Sequence, residues 1–134
     1  MTEPTDIVHQ WHTMLAGDEP DLIAPLLDDN VTFRSPAIHQ PKQGKAVAAG
    51  FLAAAQKVIG PTVQFGRVWR LEDHSAVIEF ASTVDGLDVH GVDIIAWNAR
   101  GLITEITVMV RPLKALDALS QAMGRTLSAT DSTN

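Results

Sequence analysis

The chain has 134 residues, 46% of them hydrophobic and 19% charged, with a formal net charge of −6 and no cysteine. A domain of this size buries enough surface to fold without disulfides or a metal, and the missing thiols exclude both a disulfide framework and a thiolate site. Ten scattered Lys and Arg against sixteen Asp and Glu exclude the basic footprint of a nucleic-acid binder, and no apolar run nears the ~20 residues of a membrane span.

The N-terminal string MTEPTDIVHQWH has neither a basic start nor an apolar core of the secretory kind, so the expected location is cytoplasmic. A first helix is predicted from about Thr5 to Ala16, with Val8, Trp11 and Leu15 on one face and Ile7 and Met14 beside them. Gly17 stops it. Asp18 and Pro20 then open a short second helix carrying Leu22, Ile23, Leu26 and Leu27. Asp28-Asp29-Asn30 reads as a turn, and Val31 to Arg34 as a short strand ended by Ser35-Pro36. After a loop to Gly44, an Ala-rich helix is predicted over Lys45–Ile59, with Val47, Phe51, Ala55 and Val58 toward the core and Gly60-Pro61 as its breaker.

The following segments are strand-like: Thr62–Leu71, Ser75–Val84, Leu87–Trp97 and Leu102–Val110. Their connections are too short for anything but antiparallel neighbours, and Asp85-Gly86 is the strongest hairpin signal. A closing helix over Pro112–Met123 gives the order ααβαββββα, an α+β domain over residues 1–123 with a polar tail over 124–134. The last three strands are apolar at both alternations, so both sheet faces should be covered: one by helices, the other by a second copy in a homodimer.

That element order, with the strings LAGDEPDLIAPLLDDNVTF, RSPAIHQPKQGKAVAAGFLAAA, GVDIIAW and GLITEITVMV, resembles the NTF2-like superfamily, which includes ketosteroid isomerases, SnoaL-type polyketide cyclases and limonene epoxide hydrolases. The resemblance spans roughly Ile7 to Val110 and implies a cone: a strongly curved, mainly antiparallel sheet wrapped around helices, with a ligand cavity at its wide end.

Asp93 is the leading site candidate. It interrupts the apolar strand VHGVDIIAW, where a carboxyl must be satisfied, exposed or kept neutral. The resemblance implies a protonated acid at this strand position, donating to a substrate oxyanion; the structural alternative is an Asp bonded to neighbouring backbone. The rest of the isomerase apparatus is absent. Ser35 stands where its base would be, Gln10 near the place of its first-helix tyrosine, and Val108 where the cyclases and epoxide hydrolases carry an aspartate.

His39 in the SPAIHQP loop and His90 are the candidate proton partners of Asp93; regular alternation puts His90 and Asp93 on opposite faces of the strand, and only a bulge at Gly91 brings them together. Trp11, Met14, Phe51, Ile95, Trp97, Ile106, Val108 and Val110, with the polar Gln10 and Ser35, are the expected substrate-binding wall. His9 and His12 lie one helical turn apart but find no third ligand of suitable spacing, so no metal is expected. Phosphate-binding glycine loops do not occur, and no cofactor is expected. The chain is therefore expected to bind a small apolar molecule, with or without cofactor-independent acid/base catalysis. A non-catalytic carrier or regulatory dimer, and a protein-interaction module with a filled cavity, are the alternatives.

Overall fold

The computed structural model describes residues 6–131; the expected helix start at Thr5 and residues 132–134 of the expected tail lie outside them. Helix α1 (Ile7–Ala16) is capped by Asp6, whose carboxylate also holds the Arg70 guanidinium through both oxygens, at 2.9 and 2.5 Å. Val8, Trp11, Met14 and Leu15 are its buried face, in accord with the sequence periodicity. At the far end, Gly17 donates its N–H to Thr13 and Met14 carbonyls.

The expected second α-helix is two 3-10 turns instead, Pro20–Leu22 and Ala24–Leu26. Pro25 is the reason: it brings no N–H to an α-helical ladder and its ring crowds the turn before it, so a continuous α-helix through this position is broken. Leu27 is already extended, so β1 runs Leu27–Arg34 and absorbs the expected Asp28-Asp29-Asn30 turn. The polar triplet keeps its turn chemistry, with Asn30 N–H donating to Asp28 Oδ2 at 3.0 Å. It is accommodated by a register shift: Leu27 and Thr32 of β1 face Ile103 and Glu105, so five steps on one strand match two on the other.

A two-residue β2 (Lys42–Gln43) follows, then α2 (Lys45–Val58). The buried face of α2 is Ala48, Leu52, Ala54, Ala55 and Gln56. This face is turned by about one position from the expected one: Val47 is 43% exposed, and Phe51 and Val58 are half-buried. Small alanines let the helix lie close to its neighbours, so its larger side chains sit at the flanks. Gln56 is buried because its amide is used: it donates to the carbonyls of Met14 (2.8 Å) and Glu19 (3.1 Å), fastening the end of α1 and the first 3-10 turn to α2.

Strands β3 (Gln64–Leu71), β4 (Ser75–Val84), β5 (Leu87–Trp97) and β6 (Ile103–Arg111) form an antiparallel meander. Strand β1 joins β6 in parallel, giving a curved, mixed six-stranded sheet in the order β2-β1-β6-β5-β4-β3. Ala76, Ile78, Phe80, Val89, Ile95 and Ile106 point inward and are fully buried against the helices.

The register of β4 with β5 is continuous from Ser75↔Ala96 to Val84↔Leu87, so there is no bulge at Gly91 and regular alternation holds. Gly91 has another purpose. It faces Phe80, whose ring lies over it, and a Cβ there would meet the ring at 2.8 Å and the Met109 carbonyl oxygen more closely still. Gly91→Ala is therefore expected to lower stability by more than about 2 kcal/mol, read as the shift of a urea unfolding midpoint. A midpoint within error of the wild type would show that both the Phe80 ring and the β6 backbone at Met109 give way freely.

The closing helix, α3, runs Leu113–Asp131, well past the expected end at Met123 and through residues expected as tail. Its apolar stripe continues to Leu127, and Ala115, Leu119 and Ala122 are buried. Among the described residues no helix is long and apolar enough to cross a membrane.

Candidate functional site

Helices α1, α2 and α3, the strand end of β1 and the inner sheet face enclose a cavity of about 230 Å³. Trp11 and Leu15 come from α1; Phe51, Leu52, Ala55 and Ile59 come from α2 and its end. Phe33 and the segment Ser35–Ile38 follow β1, and Asp93 and Val108 are paired neighbours on β5 and β6. The stripe Leu116, Leu119, Ser120, Met123, Gly124 and Leu127 of α3 closes the remaining side. The wall is almost wholly apolar, with Phe33 and Phe51 stacked at 5.2 Å.

Among the described residues, Asp93 is the one acidic or basic side chain in that wall. It is 3% exposed, and its hydrogen bond within the described residues is accepted from the Trp11 indole N–H, Nε1 to Oδ2, at 3.0 Å. Burial pushes the carboxyl up from 3.8 to about 7, and the Trp11 bond opposes this only in part. Near neutrality the group thus exists in both forms. A residue so placed can donate a proton or hydrogen bond when neutral and accept one when charged.

Of the residues expected at the site, the structure brings together Asp93, Trp11, Ser35, Phe51 and Val108. The others are elsewhere. Met14, Ile95 and Ile106 are closed core, at 1%, 0% and 0% exposed. Gln10 is half-buried on α1, and Trp97, whose ring stacks on His74, lies beyond the cavity. Val110 is opposite Gly91, two residues nearer the end of β6 than Val108, and does not line the cavity.

His39 stands exposed one residue past the lining segment, because the chain turns outward after Ile38. His90 is on the opposite sheet face from Asp93: with no bulge, an odd spacing along β5 alternates the two sides. There its ring meets Glu79, Nε2 to Oε2 at 2.8 Å, and Arg67 bonds the other oxygen of Glu79. These partners, His90 first and Arg67 next, draw the Glu79 carboxyl down to about 2.

His12 stacks on Phe65 with ring centroids 4.0 Å apart, and its Nε2 is buried without a hydrogen-bond partner. Burial, then the nearby His9 and Arg70, hold its pKa below 6.5. No group of three or more His, Cys, Asp or Glu among the described residues is arranged to hold a metal ion.

Two features of the wall were not foreseen from the sequence. Trp11 was expected as an apolar contact, yet its N–H is what meets Asp93. The α3 stripe was cut short at Met123, although apolar residues at 116, 119, 123 and 127 keep helical spacing.

No protein-family model matches the chain, and no curated protein is significantly similar to it. Solved structures are. A steroid delta-isomerase from Pseudomonas aeruginosa is 31% identical, with a TM-score of 0.87 over 94% of this chain and 92% of that one. The chain belongs to the NTF2-like superfamily.

An uncharacterised protein with a cystatin-like fold from Silicibacter pomeroyi is 28% identical, with a TM-score of 0.82 over 90% of this chain and 84% of its own. A protein of ketosteroid isomerase-like fold from Catenulispora acidiphila, at 19% identity and a TM-score of 0.66 over 85% and 91%, shares the NTF2-like architecture.

Proposed function

We propose that this NTF2-like protein binds a compact, mainly apolar molecule bearing a hydrogen-bond acceptor, and that Asp93 and Trp11 engage that acceptor. The observation that carries the reading is the buried Asp93 carboxyl in an otherwise greasy wall, holding a hydrogen bond from the Trp11 indole. Apolar walls supply affinity, and a few placed polar groups supply orientation. A cavity of about 230 Å³ lies just below the ~300–1,000 Å³ of common ligand sites, which favours ring systems of modest size. Ser35 and Ser120 are the remaining hydroxyls of the wall.

As an enzyme, the protein would carry out cofactor-independent isomerisation, cyclisation or epoxide opening, with neutral Asp93 donating to an oxygen on which negative charge develops. The steroid delta-isomerase relative supports this branch. The carrier reading is favoured by a different observation: among the described residues no second titratable side chain lines the cavity to share the proton transfer. An interaction module with a plugged interior fits less well with an open cavity.

A thermal-shift screen with cyclic ketones, terpenoids, lactones and steroids tests the binding claim. Acceptor-bearing ligands should raise the melting temperature more at pH 6 than at pH 8, because donation requires the neutral acid. Proton exchange or product formation followed by NMR in D₂O then separates enzyme from carrier. If no apolar compound shifts the melting temperature at either pH, the proposal is wrong.

The outer sheet face supports the homodimer expected from the sequence. Val77, Val92 and Ile94 are half-buried there, beside Met109 at 54% and Trp69 at 44% exposed.

A further inference from the structure

We infer that Gly124 is a specificity-determining residue: it keeps open the mouth of the cavity and so sets how long a bound molecule can be. The inference rests on the ligand-binding reading given above. Glycine is the poorest helix former after proline, and Gly124 lies in the interior of α3.

Nothing in the fold demands a glycine there. A Cβ built on it meets no atom within 4 Å, and its backbone is not in the left-handed region. What distinguishes the position is its place in the cavity wall, in the same helical stripe as Ser120, Met123 and Leu127. It is also exposed to solvent, as are Ser120 one turn before it and Ala37 and Ile38 of the cavity-lining segment after β1. The cavity therefore meets water between this segment and the turn of α3 around Gly124.

A Cβ at position 124 would stand in open space in the wall beside that opening, and a longer side chain would add its bulk from there. A ligand of one or two rings fits within the hollow, whereas a longer one anchored at Asp93 must extend past Gly124. Bulk at this position should then reject long ligands and spare short ones.

Gly50 supplies the control. It too is inside a helix and has no atom within 4 Å of a built Cβ, but it is exposed and away from the cavity. Gly124→Leu and Gly50→Leu should therefore raise helix stability alike and differ only in access.

Two measurements test this. In the first, calorimetry compares a two-ring ketone, 2-decalone, with a four-ring 3-ketosteroid. Gly124→Leu should weaken the four-ring ketone by about tenfold or more and change 2-decalone by less than about threefold, while Gly50→Leu changes neither. Gly124→Ala should fall between.

The second needs no ligand. In a Trp69→Phe, Trp97→Phe background, trichloroethanol quenching of Trp11 reads entry into the cavity, and it should fall several-fold in Gly124→Leu but not in Gly50→Leu. Equal quenching in the two leucine variants, or equal loss of both ketones, overturns the inference. Should neither ketone bind the wild type, the ligand reading fails on its own, and the quenching result still decides for or against Gly124.

Discussion

Asp93→Asn is expected to give a protein more stable than the wild type at pH 8 and much less active. The Asp93 carboxyl sits at about 7 in the folded protein against 3.8 as its ordinary value, with burial as the main cause. Between those values the folded chain holds a proton that the unfolded chain releases. The stabilising contribution of the neutral acid is thus complete below about pH 4, is lost as the pH climbs to 7, and stays lost above. The gap corresponds to roughly 4 kcal/mol at most.

Asparagine keeps the shape and can still accept the Trp11 N–H, but it carries no such pH dependence. Urea unfolding of both proteins at pH 4.5, 6 and 8 should show curves that nearly coincide in acid and separate by a few kcal/mol in base. His12 contributes with the opposite sign, since its lowered pKa removes stability as the pH falls below 6.5, but it is common to both proteins and cancels in the difference. Parallel stability profiles would mean that Asp93 is charged and satisfied after all. For any reaction found, turnover in the variant should drop by about 10²–10⁴-fold, the range expected when a positioned proton donor is lost.

Trp11 should produce the largest loss of stability. It is 1% exposed and packs in the core beside the cavity, so Trp11→Ala removes a large buried ring and is expected to cost about 3–5 kcal/mol. Trp11→Phe separates its two roles. The smaller ring fills most of the space, but the buried acid loses its donor, a defect of roughly 1–3 kcal/mol. Because the Trp11 bond opposes the upward push of burial on Asp93, its loss should move the Asp93 titration, and any activity profile that follows it, to higher pH. An unmoved profile in a folded Trp11→Phe protein would show that the indole only packs.

The architecture was legible where local signals and long-range packing agree. Strands β4 and β5 begin and end where β-branched runs meet Glu72-Asp73-His74, Asp85-Gly86 and Asn98. The errors came where one residue overrides a pattern. Pro25 breaks a helix that the spacing of four apolar residues favours. Alanines turn α2 by a position, since they contribute little to an amphipathic signal yet decide how closely a helix can lie. The parallel partnership of β1 with β6 joins segments about seventy residues apart and leaves no local trace.

At the site, Asp93 stood out because a lone carboxyl in a greasy strand requires an explanation. Its bond to Trp11 could not be read, because helix periodicity gives the direction of a side chain and not what its polar edge will touch. The side of the sheet that His90 takes turns on whether β5 carries a bulge, which the sequence leaves open and the continuous register answers. Plain alternation sends it to the other face, where Glu79 receives it.

The pairing of β1 with β6 also bears on how the molecule is made. Wall pieces carried by α1, β5 and α3 come from distant parts of the chain, and β1 can dock only after β6 has been synthesised. The meander, with its short links, closes at small entropic expense, whereas the early helix and strand must wait for a long loop to shut. A nascent chain thus exposes the greasy flank of Trp11, Met14 and Leu15 through most of translation. For that interval, chaperone capture or self-association competes with folding.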